Sequence, residues 1–431
     1  MKDITKFQGI LLALFLIAAV GSVLSFAVFG NRGRNDVAVE PIVVWGTLDE
    51  QAVNNFLRTL RSNGVDLNMT YYGVSEAGFD QALIEALAGN RGPDAIFLPE
   101  NMIVRYRDKI VPTSYETLSV RSFKDTYLEG TELFLRFNGV FGNPVLIDPL
   151  VMYWNRDLFS THGVVSPPDT WNDLLTIVPV LRVKDAQGAI VKAGASLGTY
   201  DNIVHAKDII ATLLLQTENP LVAGDVNGSL QSVFNDKTSI AQAPAVSALI
   251  FYTGFSDPLK AYYTWNSGLS NSRDMFTAGD SALYFGFASE VQAIRARNPN
   301  LNFDVAMLPQ TLGSNNVRVF GHMYSFVPLA TVHYDRTVAL MNMISSRDIA
   351  RSLSEWLSMA PARKDLISES QSDPYKAVMY RSALSARSWL DPNRGETEKV
   401  FKRLIDTITS GKLRLEEAVN RADTEIDGLI R

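Results

Sequence analysis

The sequence predicts an α/β fold with parallel strands, placed behind an N-terminal transmembrane helix. Three observations lead to this prediction. Residues 41–98 alternate strand and helix patterns with short connections, and residues 10–29 carry no charge. The whole chain of 431 residues is 46% apolar and 20% charged, as is usual for globular proteins. At roughly 150 residues per domain, this length corresponds to two or three units.

Residue usage argues against several classes of function. The formal net charge of −6 disfavours nucleic acid as a partner, because phosphate binding needs a basic face. The absence of cysteine excludes disulfide scaffolds, thiolate metal sites, cysteine nucleophiles and an N-terminal lipidated cysteine. Because the chain also has only four histidines, we predict no metal site and no cofactor.

The uncharged run at residues 10–29 is long enough for a membrane anchor. Twenty helical residues at about 1.5 Å each span roughly 30 Å, the thickness of the bilayer hydrocarbon core. Residues 1–9 form a short tail before it, and residues 30–40 form a polar linker. A cleavable signal peptide with Ser25 and Ala27 near the cleavage site is the alternative, although its apolar core would exceed the usual length of roughly 7–15 residues. Either interpretation takes the folded body across a membrane.

The folded body begins with a β-α-β-α-β pattern. A buried strand is predicted at residues 41–45, and an amphipathic helix follows at 53–60. An alternating strand pattern covers 65–71, a second helix 79–87, and a third strand 95–98. Short connections of this kind imply parallel pairing of the strands.

An open α/β sheet binds ligands at the carboxyl ends of its strands. In this sequence, those ends carry Trp45 and Thr47 after the first strand, and Glu100 and Asn101 after the third. The rest of the chain is less regular. Further helices are predicted at residues 206–216, 244–255, 289–297 and 336–345, with mostly helical sequence after 347, and further strands at 282–287, 303–308 and 324–329.

One catalytic motif needs consideration. Residues 194–198 match the G-x-S-x-G nucleophile elbow, with Ser196 as the nucleophile. That elbow requires a helix that starts at the serine. Because the next helix pattern begins only after Asn202, we expect Ser196 to lie in a loop.

A series of ordered motifs resembles one protein family. Residues 143–159 read NPVLIDPLVMYWNRDLF, and PPDTW follows at 167–171. Further motifs are GPDA at 92–95, FTAGDSAL at 276–283, AMLP at 306–309 and APAR at 360–363. The chain resembles the extracellular solute-binding proteins of family 1, the maltose-binding-protein-like receptors of ABC importers, from about residue 43 to 363. It departs from them in lacking the lipoprotein cysteine and in carrying Trp154 where Tyr or Phe is usual.

The resemblance implies a two-lobe periplasmic-binding-protein type II fold, known as the Venus flytrap. Lobe one would comprise residues 41–147 and 306–345, and lobe two residues 148–305 and 346–431. The implied function is that of a membrane-tethered, monomeric, extracytoplasmic solute-binding protein and not of an enzyme. It would capture a sugar or oligosaccharide in a cleft that closes by hinge motion, and deliver it to the membrane subunits of an ABC importer.

Sugar sites combine aromatic platforms with carboxylates and amides that bind hydroxyls. The predicted ligand contacts of this kind are Trp45, Thr47, Glu100, Asn101, Asp148, Tyr200, Asp201, Phe287 and Tyr324. Asp148 is included because the resemblance places it in a segment where family members often carry a ligand-contacting acid. The alternative role of each aromatic residue is core packing, and that of Glu100 and Asp148 is helix capping or a surface turn. Two other functions remain as alternatives: an extracytoplasmic serine hydrolase that uses Ser196, and a structural or adhesive envelope protein.

Overall fold

The computed structural model describes residues 40–217, 221–224, 229–235, 244–314 and 316–430. Internal contacts divide the chain into two compact units, residues 1–41 and 42–431. The N-terminal tail, the predicted membrane anchor and nearly all of the linker lie outside the described residues. In the described part of the chain, no helix is both long and apolar enough to cross a membrane.

The predicted β-α-β-α-β order is confirmed at the start of the body. The elements are β1 (Ile42–Gly46), α1 (Glu50–Ser62), β2 (Met69–Gly73), α2 (Glu76–Ala88), β3 (Ala95–Pro99) and a short helix α3 (Glu100–Ile103). β1 pairs in parallel with β2 on one side and with β3 on the other. The three strands therefore end at one edge of the sheet, where α2 and α3 begin.

Local chemistry explains where the second strand begins. The alternating pattern predicted a start at Val65, but β2 starts at Met69. Asn68 adopts a left-handed φ of 44°, and its backbone N–H donates to the Asp66 carboxylate at 2.9 Å. Asparagine tolerates this conformation better than most residues, and the resulting turn delays the strand.

The rest of the body consists of short helices and strands around two long strands. The further strands are β4 (Leu135–Arg136), β5 (Gly139–Val140), β6 (Asn143–Asn155), β7 (Val183–Lys184), β8 (Ile190–Lys192), β9 (Val222–Gly224), β10 (Leu230–Ser232), β11 (Leu283–Phe287), β12 (Phe303–Ala306), β13 (Val319–Pro328), β14 (Ala360–Pro361) and β15 (Ala386–Arg387). The further helices are α4 (Val120–Thr126), α5 (Arg156–Thr161), α6 (Trp171–Leu181), α7 (Ala206–Gln216), α8 (Pro244–Gly254), α9 (Ser272–Ala278), α10 (Val291–Arg297), α11 (Tyr334–Ile344), α12 (Arg347–Leu357), α13 (Lys364–Ile367), α14 (Pro374–Leu384), α15 (Arg394–Thr409) and α16 (Leu415–Ile430). The strand predicted at 324–329 begins earlier, at Val319, because it includes Gly321, a residue that weakens the sequence signal of a strand.

The two long strands, β6 and β13, connect the parallel strands to the rest of the body. The strand order of the main sheet is β11-β6-β13-β3-β1-β2. β13 runs antiparallel to β3, with Tyr324 opposite Pro99, and antiparallel to β6, with His322 opposite Asp148. The second half of β6 pairs instead with β11 and β12. One continuous sheet therefore links the ends of the parallel strands to the β11 region.

The apolar core consists of two clusters. The smaller cluster packs α1, α11 and α12 against the sheet around Val44, Phe97 and Phe326. The larger cluster includes the apolar residues of β6 from Ile147 onwards together with α6, α7, α8 and α15. Because the sheet is covered by helices on both sides, its strands are nearly continuous apolar runs, and in β6 twelve of the thirteen residues are buried.

Candidate functional site

A cavity of about 650 Å³ lies at the carboxyl ends of the parallel strands. It is lined from one side by the first residues of α2 and by α3 with the turn that follows, and from the other by the start of α15. The lining residues are Glu76, Ala77, Asp80, Asn101, Met102, Arg105, Tyr106, Asn393, Arg394, Gly395, Glu396, Glu398 and Lys399. Its volume falls within the roughly 300–1,000 Å³ that small-molecule sites occupy.

Ion pairs surround the cavity. The N–O distances are 2.5 Å for Arg394–Glu76, 2.8 Å for Arg105–Asp80, 2.8 Å for Lys399–Glu396 and 3.5 Å for Lys207–Glu398. The Arg394–Glu76 pair joins the first residue of α15 to the first residue of α2. Burial lowers the pKa of Arg394, but the carboxylates of Glu76, Asp208 and Glu398 outweigh burial and raise it above its usual range. Arg394 is therefore held charged beside the cavity.

Two polar atoms at the cavity have no hydrogen-bond partner among the described residues. Asn101 is only 3% exposed, and its Oδ1 accepts no hydrogen bond. Nη1 of Arg394 lies close to Glu76 without the alignment of a hydrogen bond. Because buried polar atoms in folded proteins are nearly always bonded, and Arg394 already has the Glu76 carboxylate beside it, we expect a ligand to satisfy the Asn101 acceptor.

The structure brings four predicted ligand contacts together around His322. Glu100 lies within hydrogen-bonding distance of the His322 ring, with 3.3 Å between Glu100 Oε1 and His322 Nδ1, and Asp148 is the strand partner of His322. The ring of Phe287 stacks on the imidazole at 4.6 Å, and that of Tyr324 lies 6.5 Å from it. These residues come from β6, β11, β13 and the first residue of α3, which follows β3. Sequence reasoning alone could not have grouped them.

Glu100 and Asp148 are both occupied by protein donors. Fully buried Glu100 accepts from the Met323 backbone N–H at 2.5 Å and from the Ser388 hydroxyl at 2.5 Å. Asp148 accepts from the backbone N–H of Ser289 at 3.0 Å and from its hydroxyl at 2.6 Å. Burial raises the pKa of Asp148 to about 6, although the two bonds from Ser289 lower it. Neither carboxyl group is among the residues that line the 650 Å³ cavity.

The other predicted contacts lie in different places. Trp45 is half-buried in β1 and packs against the larger apolar cluster, and the hydroxyl of Thr47 is buried without a partner among the described residues. The Tyr200 hydroxyl donates to Glu398 of the cavity wall. Asp201 is exposed and pairs with Lys402. Of the nine predicted contacts, Asn101 alone is among the residues that line the 650 Å³ cavity.

Ser196 lacks the surroundings of a catalytic nucleophile. It is buried, and its hydroxyl lies 3.3 Å from the Leu283 carbonyl and 3.2 Å from the Ser281 hydroxyl. No imidazole is among its hydrogen-bond partners in the described residues. The segment is irregular, as expected, and the next helix starts only at Ala206. The structure therefore does not support the serine hydrolase alternative.

Sequence reasoning missed most of the cavity wall. Glu76 follows the end of β2, so the rule that selected Glu100 and Asn101 after β3 also applies to it. No comparable signal marked Arg394 and Lys399, because they lie on a C-terminal helix whose packing partner is remote in sequence. Within the described ranges, no group of three or more acidic or histidine side chains is placed to hold a metal ion.

Comparison with known proteins identifies the family. The family model described as "Bacterial extracellular solute-binding protein" matches residues 51–378, which is more than half of the chain. A search of curated protein sequences returns no significant match.

Similar solved structures show the same fold. A cyclo/maltodextrin-binding protein in complex with maltotetraose has a TM-score of 0.71 and 14% identity, covering 92% of this chain and 99% of that one. The cyclic α-maltosyl-1,6-maltose-binding protein of Arthrobacter globiformis has a TM-score of 0.73 and 16% identity, with coverage of 90% and 98%. A protein named CpMnBP1, with mannotriose bound, has a TM-score of 0.70 and 18% identity, with coverage of 90% and 100%. The fold is thus the α/β two-lobe fold of solute-binding proteins. The chain belongs to the bacterial extracellular solute-binding proteins.

Proposed function

We propose that this protein captures a sugar or oligosaccharide in the 650 Å³ cavity and presents it to the membrane subunits of an ABC importer. The single observation that carries the proposal is the buried, unbonded Oδ1 of Asn101 in the wall of that cavity. A sugar hydroxyl can donate to this oxygen and accept from a neighbouring N–H at the same time. Similarity to proteins whose titles name maltotetraose and mannotriose supports a carbohydrate ligand.

The proposal includes two lobes that close on the ligand. Lobe one contains residues 41–147 and 306–345, and lobe two residues 148–305 and 346–431. The cavity supports this division, since Glu76 and Asn101 line it from the first lobe and Arg394 and Lys399 from the second. β6 and residues 303–309, which include β12, are the segments that connect the two, so we propose that backbone rotation along these segments opens and closes the cleft.

A membrane tether is also part of the proposal. The uncharged run at residues 10–29 has the length of a bilayer-spanning helix, and the family is extracellular. Such a tether would keep a monomeric receptor next to the importer in place of a lipidated cysteine, which the chain lacks.

The test measures ligand-induced stabilisation of the full-length protein in detergent. Melting is followed with maltotetraose, mannotriose and a broader panel of neutral sugars. A ligand at about one hundred times its Kd should stabilise the protein by about 2.7 kcal/mol. If a carbohydrate panel of this breadth, with di-, tri- and tetrasaccharides at millimolar concentration, leaves the melting temperature unchanged, the carbohydrate assignment is wrong.

Asn101→Ala tests whether the cavity is the binding site. Losing one hydrogen bond to a neutral partner should weaken sugar binding by about 1 kcal/mol, roughly fivefold, without changing cooperative melting. Asn172→Ala makes the same chemical change at an exposed position of α6 outside the cavity and serves as the matched control. Equal affinity of the two variants would place the ligand elsewhere.

Trp45, at the end of β1, remains a predicted sugar contact. If it stacks on the sugar, Trp45→Ala should lower the affinity by about 1–3 kcal/mol. Unchanged affinity together with a lower melting temperature would instead assign Trp45 to the apolar cluster against which it packs.

A further inference from the structure

The charged groups of the cavity wall are mostly paired with one another. Each of its four carboxylates lies within 3.5 Å of a cationic nitrogen, although the cation near Glu398, Lys207, lies closer to Asp391, at 2.9 Å. Glu398 also accepts from the Tyr200 hydroxyl. An acidic solute would therefore find no unpaired cation among the described residues of this wall, because Arg105, Arg394 and Lys399 are each paired with a carboxylate.

The partial positive charges at the helix N-termini of the cavity are also compensated by acidic side chains. α2 and α15 both begin there, and the N-terminus of a helix carries a partial positive charge that attracts anions. Glu76 lies in the first turn of α2 and Glu396 in the first turn of α15, so an acidic side chain already complements each helix. The helix ends provide no extra attraction for an acidic solute.

The unbonded acceptor at the cavity matches an uncharged ligand. Asn101 offers a neutral acceptor, and the charge of the Arg394 guanidinium in the same wall is balanced by Glu76. A sugar hydroxyl can donate to the Asn101 oxygen without introducing charge. A carboxylate would face Glu76, and an ammonium group would face Arg394. Such juxtaposition of like charges strongly opposes binding.

We propose that the cavity selects uncharged, hydroxyl-bearing sugars against acidic and amino sugars, and that the Glu76–Arg394 pair determines this selectivity. The inference rests on the proposed carbohydrate function. Replacing Glu76 by Gln removes the nearest counter-charge of Arg394 in the cavity, so Glu76→Gln should admit acidic sugars. Replacing Arg394 by Gln leaves Glu76 unpaired, so Arg394→Gln should admit amino sugars.

The experiment compares four trisaccharides by calorimetry with the full-length protein. Maltotriose and mannotriose are the neutral probes, trigalacturonate is the acidic probe, and the glucosamine trimer is the basic probe. The wild type should bind a neutral probe at least about tenfold more tightly than either charged probe. Glu76→Gln should gain trigalacturonate affinity, Arg394→Gln should gain glucosamine-trimer affinity, and the double variant should again prefer the neutral probes.

Two controls keep the outcome interpretable. Asp125→Asn removes one carboxylate from the exposed Arg121–Asp125 pair outside the cavity, so it changes the net charge as Glu76→Gln does but should leave selectivity unchanged. Circular dichroism and cooperative melting check that each variant folds. Equally tight binding of charged and neutral probes by the wild type, or a folded Glu76→Gln variant without trigalacturonate affinity, would overturn the selectivity proposal and leave the carbohydrate function standing. No binding of any sugar by the wild type, here and in the wider neutral panel, would overturn both.

Discussion

Lys207 is a buried cation that holds the start of α15 in place, and its removal should destabilise the protein strongly. The residue is 2% exposed, and its Nζ lies 2.9 Å from Asp391 and 3.1 Å from the Thr397 hydroxyl. Asp391 is fully buried. Lys207→Met keeps most of the side-chain volume but removes the charge, and therefore leaves the Asp391 carboxylate buried without its cation.

The size of the effect follows from the cost of neutralising Asp391. Burial raises the pKa of Asp391, and Lys207 is the largest influence that lowers it, so without Lys207 the carboxyl should be protonated in the folded variant. Protonating a group whose unfolded pKa is 3.8 costs about 4 kcal/mol at pH 7, at about 1.36 kcal/mol per pH unit; this is the upper limit of the loss, because burial already raises the pKa of Asp391 in the wild type. This value lies within the loss of about 3–5 kcal/mol that is typical of a broken buried ion pair.

The same reasoning gives a pH signature. The folded-state pKa of Asp391 is raised in the variant, so the penalty grows as pH rises above the unfolded value and shrinks as pH falls towards it. At pH 5 the cost of protonation is only about 1.6 kcal/mol. Urea denaturation followed by tryptophan fluorescence at pH 7 and pH 5 measures the free energy of unfolding. Trp389 lies 5.8 Å from Lys207 Nζ and reports on this region.

Two further variants complete the test. Lys402→Met removes a lysine from exposed ion pairs with Asp201 and Asp406 and should cost less than about 1 kcal/mol. Lys207→Met combined with Asp391→Leu should recover much of the loss, because no buried charge remains. A Lys207→Met penalty below about 1 kcal/mol at pH 7, or one that does not shrink at pH 5, would refute the reasoning.

Three other predictions concern pH, motion and location. Burial lowers the pKa of His205, but Glu290 and Asp208 raise it to about 9. The stabilisation that charged His205 gives the folded state should therefore be complete below pH 6.5 and lost as pH rises through about 9. Melts of wild type and His205→Gln across this range should converge at high pH, and parallel curves would contradict the assignment. Saturating sugar should reduce the radius of gyration in X-ray scattering at constant mass, whereas an unchanged profile would exclude closure of the cleft. The full-length protein should stay with membranes after carbonate washing, and a soluble product starting near residue 28 would reveal a cleaved signal peptide instead.

The first part of the fold was predictable because its determinants are local. The helix periodicity at 53–60, the strand alternation at 65–71 and the short connections between these elements each depend on residues close together in the sequence. Together they indicate parallel strands. The strand-end rule then selected Asn101, which lines the cavity. The ordered motifs between residues 92 and 363 indicated the family, because their order and spacing along the chain can be read directly from the sequence.

The composition of the site was decided by tertiary structure. Arg394 contacts Glu76 only because α15 packs across the cavity from the end of β2. His322 contacts Phe287 only because β6 pairs with both β11 and β13. No local pattern encodes such meetings, since each depends on the packing of apolar faces that are far apart in the chain. Burial is likewise a property of the folded state. A lysine at position 207 resembles a surface residue in sequence, yet packing encloses it, and only then does its charge require the partner that Asp391 provides.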